Sequence, residues 1–389
     1  MDMSAFPGTE PIGRRMLASL VRRGLDRPDV RLLDWRIEQL HGGFEVSAKI
    51  FRIYGTATHG ERQSEPPISW SLILKTLPPQ PEEADPAYWN YLPRDRLAYQ
   101  SGLLDNLPGG LVAPRCYDIV QWPDGESWLW LEEVRDECGT AWPLSRYGLA
   151  ARHLGQFNAA YLLERPIPSW PWLSRRWLRS LMEESAAQIA RLPRHLKNPL
   201  VQRLLPPDVN AGLFRLWEDR HLFMDALDRL PQTLVHRDAF RRNLFSRQNK
   251  NGQVETVAID WVFTGAGSLG EELGPLVAAT IGFRELEFAQ IQALEDAVFD
   301  GYLRGLGDAG WRGDPEAVRF SYVVSAALRY VIGGSNNLLP IFLDEAQHNR
   351  IVRMWGGPMT AYAAHWGKVF RFLLHRIGEA RARSNRTFS

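Results

Sequence analysis

An aspartate and an asparagine stand five residues apart in "LVHRDAFRRNLF", residues 234–245, together with a histidine and three arginines. Both ends of the stretch are apolar, so the polar centre reads as a loop held between two hydrophobic anchors rather than as a strand interior. "NLF" then opens a strand, Asn251-Gly252 marks a hairpin tip, and the returning strand "VETVAIDWV" carries Asp260. A hairpin brings the start of one strand beside the end of the other. Asn243 and Asp260 are therefore expected to approach each other, with Asp238 just outside them. Two oxygen ligands and a third carboxylate suit a magnesium–nucleotide site, because Mg²⁺ takes one or two protein oxygens alongside waters and phosphate oxygens. The carboxylate left over, Asp238, can accept or orient the proton of an attacking hydroxyl.

Such a site also needs a cation for the inner phosphates. Lys75 ends "SLILK", an apolar strand in which a lysine is out of place without a partner. Asp95, twenty residues on at the start of the helix "PRDRLAYQSGLL", is the acid available to it. Gly42 and Gly43 in "LHGGFEVSAKIFRI" read as a glycine turn over the phosphates. Glu132, Glu133 and Val134 in "LWLEEVRDE" read as the strand that joins two lobes, with backbone able to meet an adenine edge. Of the remaining loop residues, His236 reads as a hydrogen-bonding scaffold, Arg242 as a candidate contact to the transferring phosphate, and Arg241 as a surface residue. Trp261 and His153 read as core.

The elements that must position these groups change texture along the chain. Residues 30–131 hold short β-rich runs, "RLLDWRIEQL", "AKIFRIYGT", "ISWSLILKTL" and "SWLWLEEV", interrupted by the one helix that carries Asp95. Residues 143–228 are helical in pattern, with Leu144, Tyr147, Leu154, Phe157 and Tyr161 at helical spacing in the first segment. After the hairpin the chain is helical again, through "EELGPLVAATIGF", "EFAQIQALEDAVFDGYLRGL" and "AVRFSYVVSAALRYVIGG" to a long last segment from about 344 to 382. The expected architecture is α+β and two-lobed. A small β-rich lobe covers residues 1–131, a hinge 132–138, and a large mainly helical lobe 139–389.

These pieces, in this order, resemble the protein-kinase-like superfamily, and more closely its aminoglycoside phosphotransferase and choline kinase branch. "HRDAFRRN" stands where that branch has its His-x-Asp loop ending in Asn, and "IDW" where it carries Ile-Asp-Trp. "SLGEELGPLV" is similar to the helix that follows, with Glu272 where an Asp is usual. The chain departs from the pattern in having Arg237 where antibiotic kinases usually have Gly, and Asp95 in place of a Glu. The resemblance implies a two-lobed kinase-like fold and an ATP- or GTP-dependent, Mg²⁺-requiring O-phosphotransferase. Lys75 and Asp95 would serve the nucleotide, Asn243 and Asp260 the metal, and Asp238 the acceptor.

Only ten residues, "WVFTGAGSLG", separate Asp260 from Glu271. A protein kinase uses a longer segment there as a platform for a polypeptide. The expected acceptor is therefore a small hydroxylated molecule: an antibiotic, an amino alcohol, a sugar or a nucleoside. A nucleotide-binding pseudokinase is the alternative reading, and a protein kinase a weaker one. Lys and Arg total 46 against 45 Asp and Glu, which gives no electrostatic ground for nucleic acid or an anionic membrane as partner. Two cysteines, Cys116 and Cys138, form no zinc spacing or disulfide framework, and a reducing cytoplasm is expected. A polycationic aminoglycoside would need an acidic pocket. Glu271, Glu272, Glu285, Glu287, Glu295, Asp296 and Asp344 are the acids on offer, among many arginines.

Overall fold

The computed structural model describes residues 12–40, 48–59, 66–81 and 83–387. Gly42 and Gly43 lie outside the described residues. The chain forms two compact units. One comprises Met1–Ala84, Leu92–Leu107 and Val112–Arg135; the other comprises Asp85–Tyr91, Pro108–Leu111 and Asp136–Ser389.

The first unit is built on an antiparallel sheet of β1 (Val30–Leu40), β2 (Lys49–His59), β3 (Ile68–Leu77), β4 (Cys116–Gln121) and β5 (Ser127–Glu132), in the order β1-β2-β3-β5-β4. Alternation decides which face is buried. Trp70, Leu72 and Leu74 of β3 join Phe51, Ile53, Trp128 and Trp130 in one core, against which α1 (Arg14–Leu25) packs Leu17, Leu20 and Val21. Lys75 is out of phase with that set and leaves the sheet on the other face. The helix α2 (Pro93–Gln100) stops four residues short of the expected "SGLL" end. Its last turn gives way at Gly102, which is left-handed at φ 73°.

The second unit is mainly helical. Its elements are α3 (Leu144–Leu163), α4 (Trp177–Arg191), α5 (Pro199–Leu204), α6 (Pro207–Arg229), α7 (Ile291–Asp308), α8 (Pro315–Ala327), α9 (Gly334–Leu343), α10 (Glu345–Trp355) and α11 (Met359–Thr387). The long last segment is thus two helices, broken where Gly356 turns left-handed ahead of Pro358. A hairpin of β7 (Leu244–Gln248) and β8 (Val254–Ala258) and a short pair of β6 (Gln232–Val235) with β9 (Gly265–Ser268) are set among the helices.

Helices α3 and α7 meet along a seam of glycines. A Cβ on Gly301 would overlap the carbonyl oxygen of Gly148, and one on Gly305 that of Arg152. Only hydrogen fits there, so the two backbones touch. Two stretches of the unit widen into π-helix, Pro275–Ala279 and Leu328–Gly333. Such turns are rare and frequently sit at functional sites. Among the described residues no helix is long and apolar enough to cross a membrane.

Candidate functional site

The loop between β6 and β7 carries the candidate residues. Leu234 and Val235 are fully buried at its entry and Leu244 at its exit, as the two apolar anchors require. His236 is buried and works as a bridge. Its Nε2 lies 3.0 Å from the Ile259 carbonyl, and its Nδ1 accepts the Asp238 N–H at 3.0 Å. A carbonyl only accepts, so the proton sits on Nε2 and the ring is neutral. The imidazole ties the loop to the outgoing strand and has no nitrogen left for acid–base work.

Asn243 and Asp260 are brought together as the hairpin demands. Leu244 pairs with Ala258, and the Ile259 N–H donates to the Asn243 carbonyl at 3.0 Å. The strand ends at Ala258, short of the Asp260 that the sequence pattern places on it. Asp260 itself is left-handed, at φ 65°. An aspartate tolerates that conformation, and the ladder stops ahead of it. Asn243 Nδ2 donates to the Asp238 carbonyl at 3.0 Å and to Asp238 Oδ2 at 2.8 Å. That orientation turns Asn243 Oδ1 away from Asp238. Burial pushes the Asp238 carboxyl up to about 6; Arg329 pulls it down, and the nearby charge of Asp260 raises it. Two carboxylates close enough for the charge of one to raise the other, with Asn243 at the start of the adjoining strand, supply hard-oxygen donors of the kind that suit Mg²⁺ sharing its shell with phosphate.

Arg237 explains its own departure from the family pattern. It is left-handed at φ 66°, a conformation that glycine adopts freely and arginine does not. Its side chain holds it there. Nε meets Glu271 Oε1 at 2.7 Å, Nη1 donates to the Phe263 carbonyl at 3.1 Å, and Nη2 donates to the Ala266 carbonyl. Its backbone N–H donates to Glu272 Oε1 at 2.7 Å. Glu272 is fully buried, and desolvation pushes it up to about 7. It sits in a turn ahead of the π-helical stretch rather than inside the helix that the sequence suggests. The "WVFTGAGSLG" connection forms β9, a buried strand packed on β6, with Gly265 and Gly267 close against Ser174 and Arg237.

The other loop arginines divide differently from expectation. Arg241, expected at the surface, is buried, pairs with Asp136 at 2.8 Å and donates to the Gly139 carbonyl at 2.6 Å. Arg242 lies over Phe283 and meets Glu285 at 2.6 Å. His153 and Trp261 are core, as expected. Burial beside Arg146 holds His153 down at about 4, and its Nδ1 lies 2.9 Å from Thr256 Oγ1 of the hairpin.

One residue escaped the sequence reading. Arg329, in the second π-helical stretch, meets Asp238 Oδ1 at 2.7 Å and donates to the Arg237 carbonyl. Its guanidinium lies over Trp177 at 5.0 Å, Tyr330 at 5.1 Å and Phe263 at 5.5 Å. The signal was present: an arginine within the otherwise apolar run "VVSAALRYVIGG".

In the first unit, Lys75 Nζ lies 2.9 Å from Asp95 Oδ2, both largely buried. The pairing that the spacing suggested is formed. Glu133 pairs with Arg52 at 2.8 Å, and with Glu132 it lines a groove of about 560 Å³ that also includes Arg36, Tyr54 and Arg135. Val134 lies two residues beyond the end of β5, outside any helix or strand.

Residues 130–316 match the model of the phosphotransferase enzyme family. No curated protein sequence matches the chain. Among solved structures it is similar to the choline kinase from Cryptosporidium parvum Iowa II, at 13% identity over 96% of this chain and 97% of that one, with a TM-score of 0.53. It is likewise similar to amicoumacin kinase hAmiN, solved with AMP-PNP, Ca²⁺ and Ami, at 13% identity over 90% and 88% of the two chains, with a TM-score of 0.50. At that identity the likeness speaks for the fold, an N-terminal antiparallel sheet followed by a mainly helical region in the kinase-like manner. With its His-Arg-Asp loop, its Ile-Asp-Trp turn and the match that spans them, the chain is similar over residues 130–316 to the phosphotransferase enzyme family.

Proposed function

We propose that the protein is an ATP-dependent O-phosphotransferase acting on a hydroxyl of a small molecule. The observation that carries this reading is the convergence of Asp238, Asn243 and Asp260 at the base of one hairpin. Asn243 and Asp260 would hold Mg²⁺, which when bound neutralises phosphate oxygens. Lys75, fixed by Asp95, would hold the inner phosphates of the nucleotide. Asp238 would receive the acceptor hydroxyl and take or orient its proton. His236 and Glu272 keep the loop in shape through its backbone and do not touch the proton being moved. The buried β9 connection leaves little surface on which an extended polypeptide could be read, which favours a compact acceptor.

A positioned base contributes roughly 10²–10⁴-fold to rate. Asp238→Asn should therefore lower turnover by about that factor, with the acceptor KM changed far less. Asp260→Ala should abolish metal-dependent nucleotide binding in calorimetry, while Asp238→Ala keeps it. The reverse pattern would show that the two roles are exchanged. Efficient transfer to peptides, with none to small alcohols, would overturn the choice of acceptor.

A further inference from the structure

Both oxygens of Asp238 are engaged, and by different chemistry. Oδ2 faces Asn243, on the side where the metal ligands lie; Oδ1 faces the guanidinium of Arg329. An acceptor hydroxyl that reaches Asp238 away from the metal ligands must come in beside Arg329. The aromatic faces that would attract a cationic substrate there, Trp177, Phe263 and Tyr330, already hold the protein's own cation. The Arg329 side chain is 15% exposed, so it is a wall of the site and not part of the deep core.

Of the acids that the sequence offered for a polycation, those nearest the loop in sequence, Glu271, Glu272 and Glu285, are committed elsewhere. Glu271 pairs with Arg237, Glu285 with Arg242 and Glu295 with Arg376. Glu272 is buried on the catalytic loop. Glu287 and Asp344 cap helical turns, and Asp296 accepts from Gln292. Of the seven acids that the sequence offered for a polycation, three are thereby ion-paired and Glu272 is buried, while Glu287, Asp296 and Asp344 are exposed carboxylates that hold hydrogen bonds.

Resting on the phosphotransfer reading above, we infer that Arg329 determines acceptor specificity, admitting uncharged or anionic alcohols and rejecting those with an ammonium near the reacting hydroxyl. An anionic group finds a buried-edge guanidinium with its geometry fixed by Asp238 and the Arg237 carbonyl. An ammonium meets a like charge where water is scarce.

The test compares acceptors matched in skeleton but not in charge, such as glucose, gluconate and glucosamine, and a polycationic aminoglycoside, by acceptor-dependent ADP release. Wild-type protein should use the uncharged or acidic members at least tenfold better in kcat/KM than the amines. Arg329→Gln should shrink that ratio at least tenfold, chiefly through KM, and Arg329→Lys should restore much of it. A wild-type preference for amines, or an unchanged ratio in folded Arg329→Gln, overturns the inference while leaving phosphotransfer standing. If no class of acceptor stimulates ADP release, the inference falls together with the phosphotransfer reading. A melting temperature unmoved by Mg-ATP in the same protein would mark that reading as the cause.

Discussion

Buried Glu272 holds the candidate loop and buried His153 the hairpin that follows it, and their protonation acts on stability in opposite directions. Glu272 keeps its proton up to about pH 7 in the folded protein, whereas an unfolded chain releases it near the ordinary value of 4.5. Its effect is therefore a loss of stability as pH rises through that window. His153 stays neutral down to about pH 4 when folded but charges near 6.5 when unfolded, so its effect is a loss of stability as pH falls. Each amounts to roughly 2 kcal/mol between pH 5 and 7, with opposite sign, so the wild-type curve conceals both. Single variants should reveal them in urea unfolding. Relative to wild type, Glu272→Gln should gain about that amount on going from pH 5 to 7, and His153→Gln should lose it. Parallel curves for both variants would show that neither group titrates as its burial implies. At this scale the sequence was informative wherever a polar type sat in an apolar setting, as with Lys75. Arg241 was misjudged because nothing in "FRRN" says which of two adjacent arginines turns inward to Asp136.

Elements place these residues, and the glycine seam between α3 and α7 is the least forgiving of them. Gly305→Ala puts a methyl group into the Arg152 carbonyl and should cost roughly 1–3 kcal/mol through forced separation of the helices. Gly307 lies two residues on and has open space around its Cβ position. Gly307→Ala should instead be neutral or stabilise by up to about 1 kcal/mol through helix propensity. Equal effects in thermal unfolding would mean that the seam is not tight. Most strands and helices were legible from period and punctuation, because alternation in β3 and helical spacing in α3 each record a buried face. α1 was passed over although Leu17, Leu20 and Val21 stand at helical spacing. β4, "CYDIVQ", was lost because it is half-buried along its length and shows no alternation. The π-helical turns leave no mark in the sequence. An extra residue per turn changes neither composition nor the apolar run in which it sits, and Arg329 went unseen with it.

At the scale of the whole molecule, Mg-ATP at a hundredfold its Kd should add about 2.7 kcal/mol of stability. At about 2–4 °C per kcal/mol, that predicts a rise in Tm of roughly 5–10 °C, abolished in Asp260→Ala. No shift at millimolar Mg-ATP, and no effect of ADP, would count against nucleotide binding altogether. A small network ties the strand that leads into the candidate loop to the glycine seam. Asn158 of α3 donates to the Leu234 carbonyl at 2.7 Å and accepts from Tyr302 of α7, whose hydroxyl receives the Gly270 N–H at 3.1 Å. Tyr302 and Arg329 both lie far downstream of the loop they hold; Arg329 is 91 residues beyond Asp238. A chain still on the ribosome therefore displays Asp238 and its hairpin well before either fastening exists. The aligned carboxylate is withheld until synthesis has passed residue 329, so a nascent chain carries the candidate site residues without their geometry.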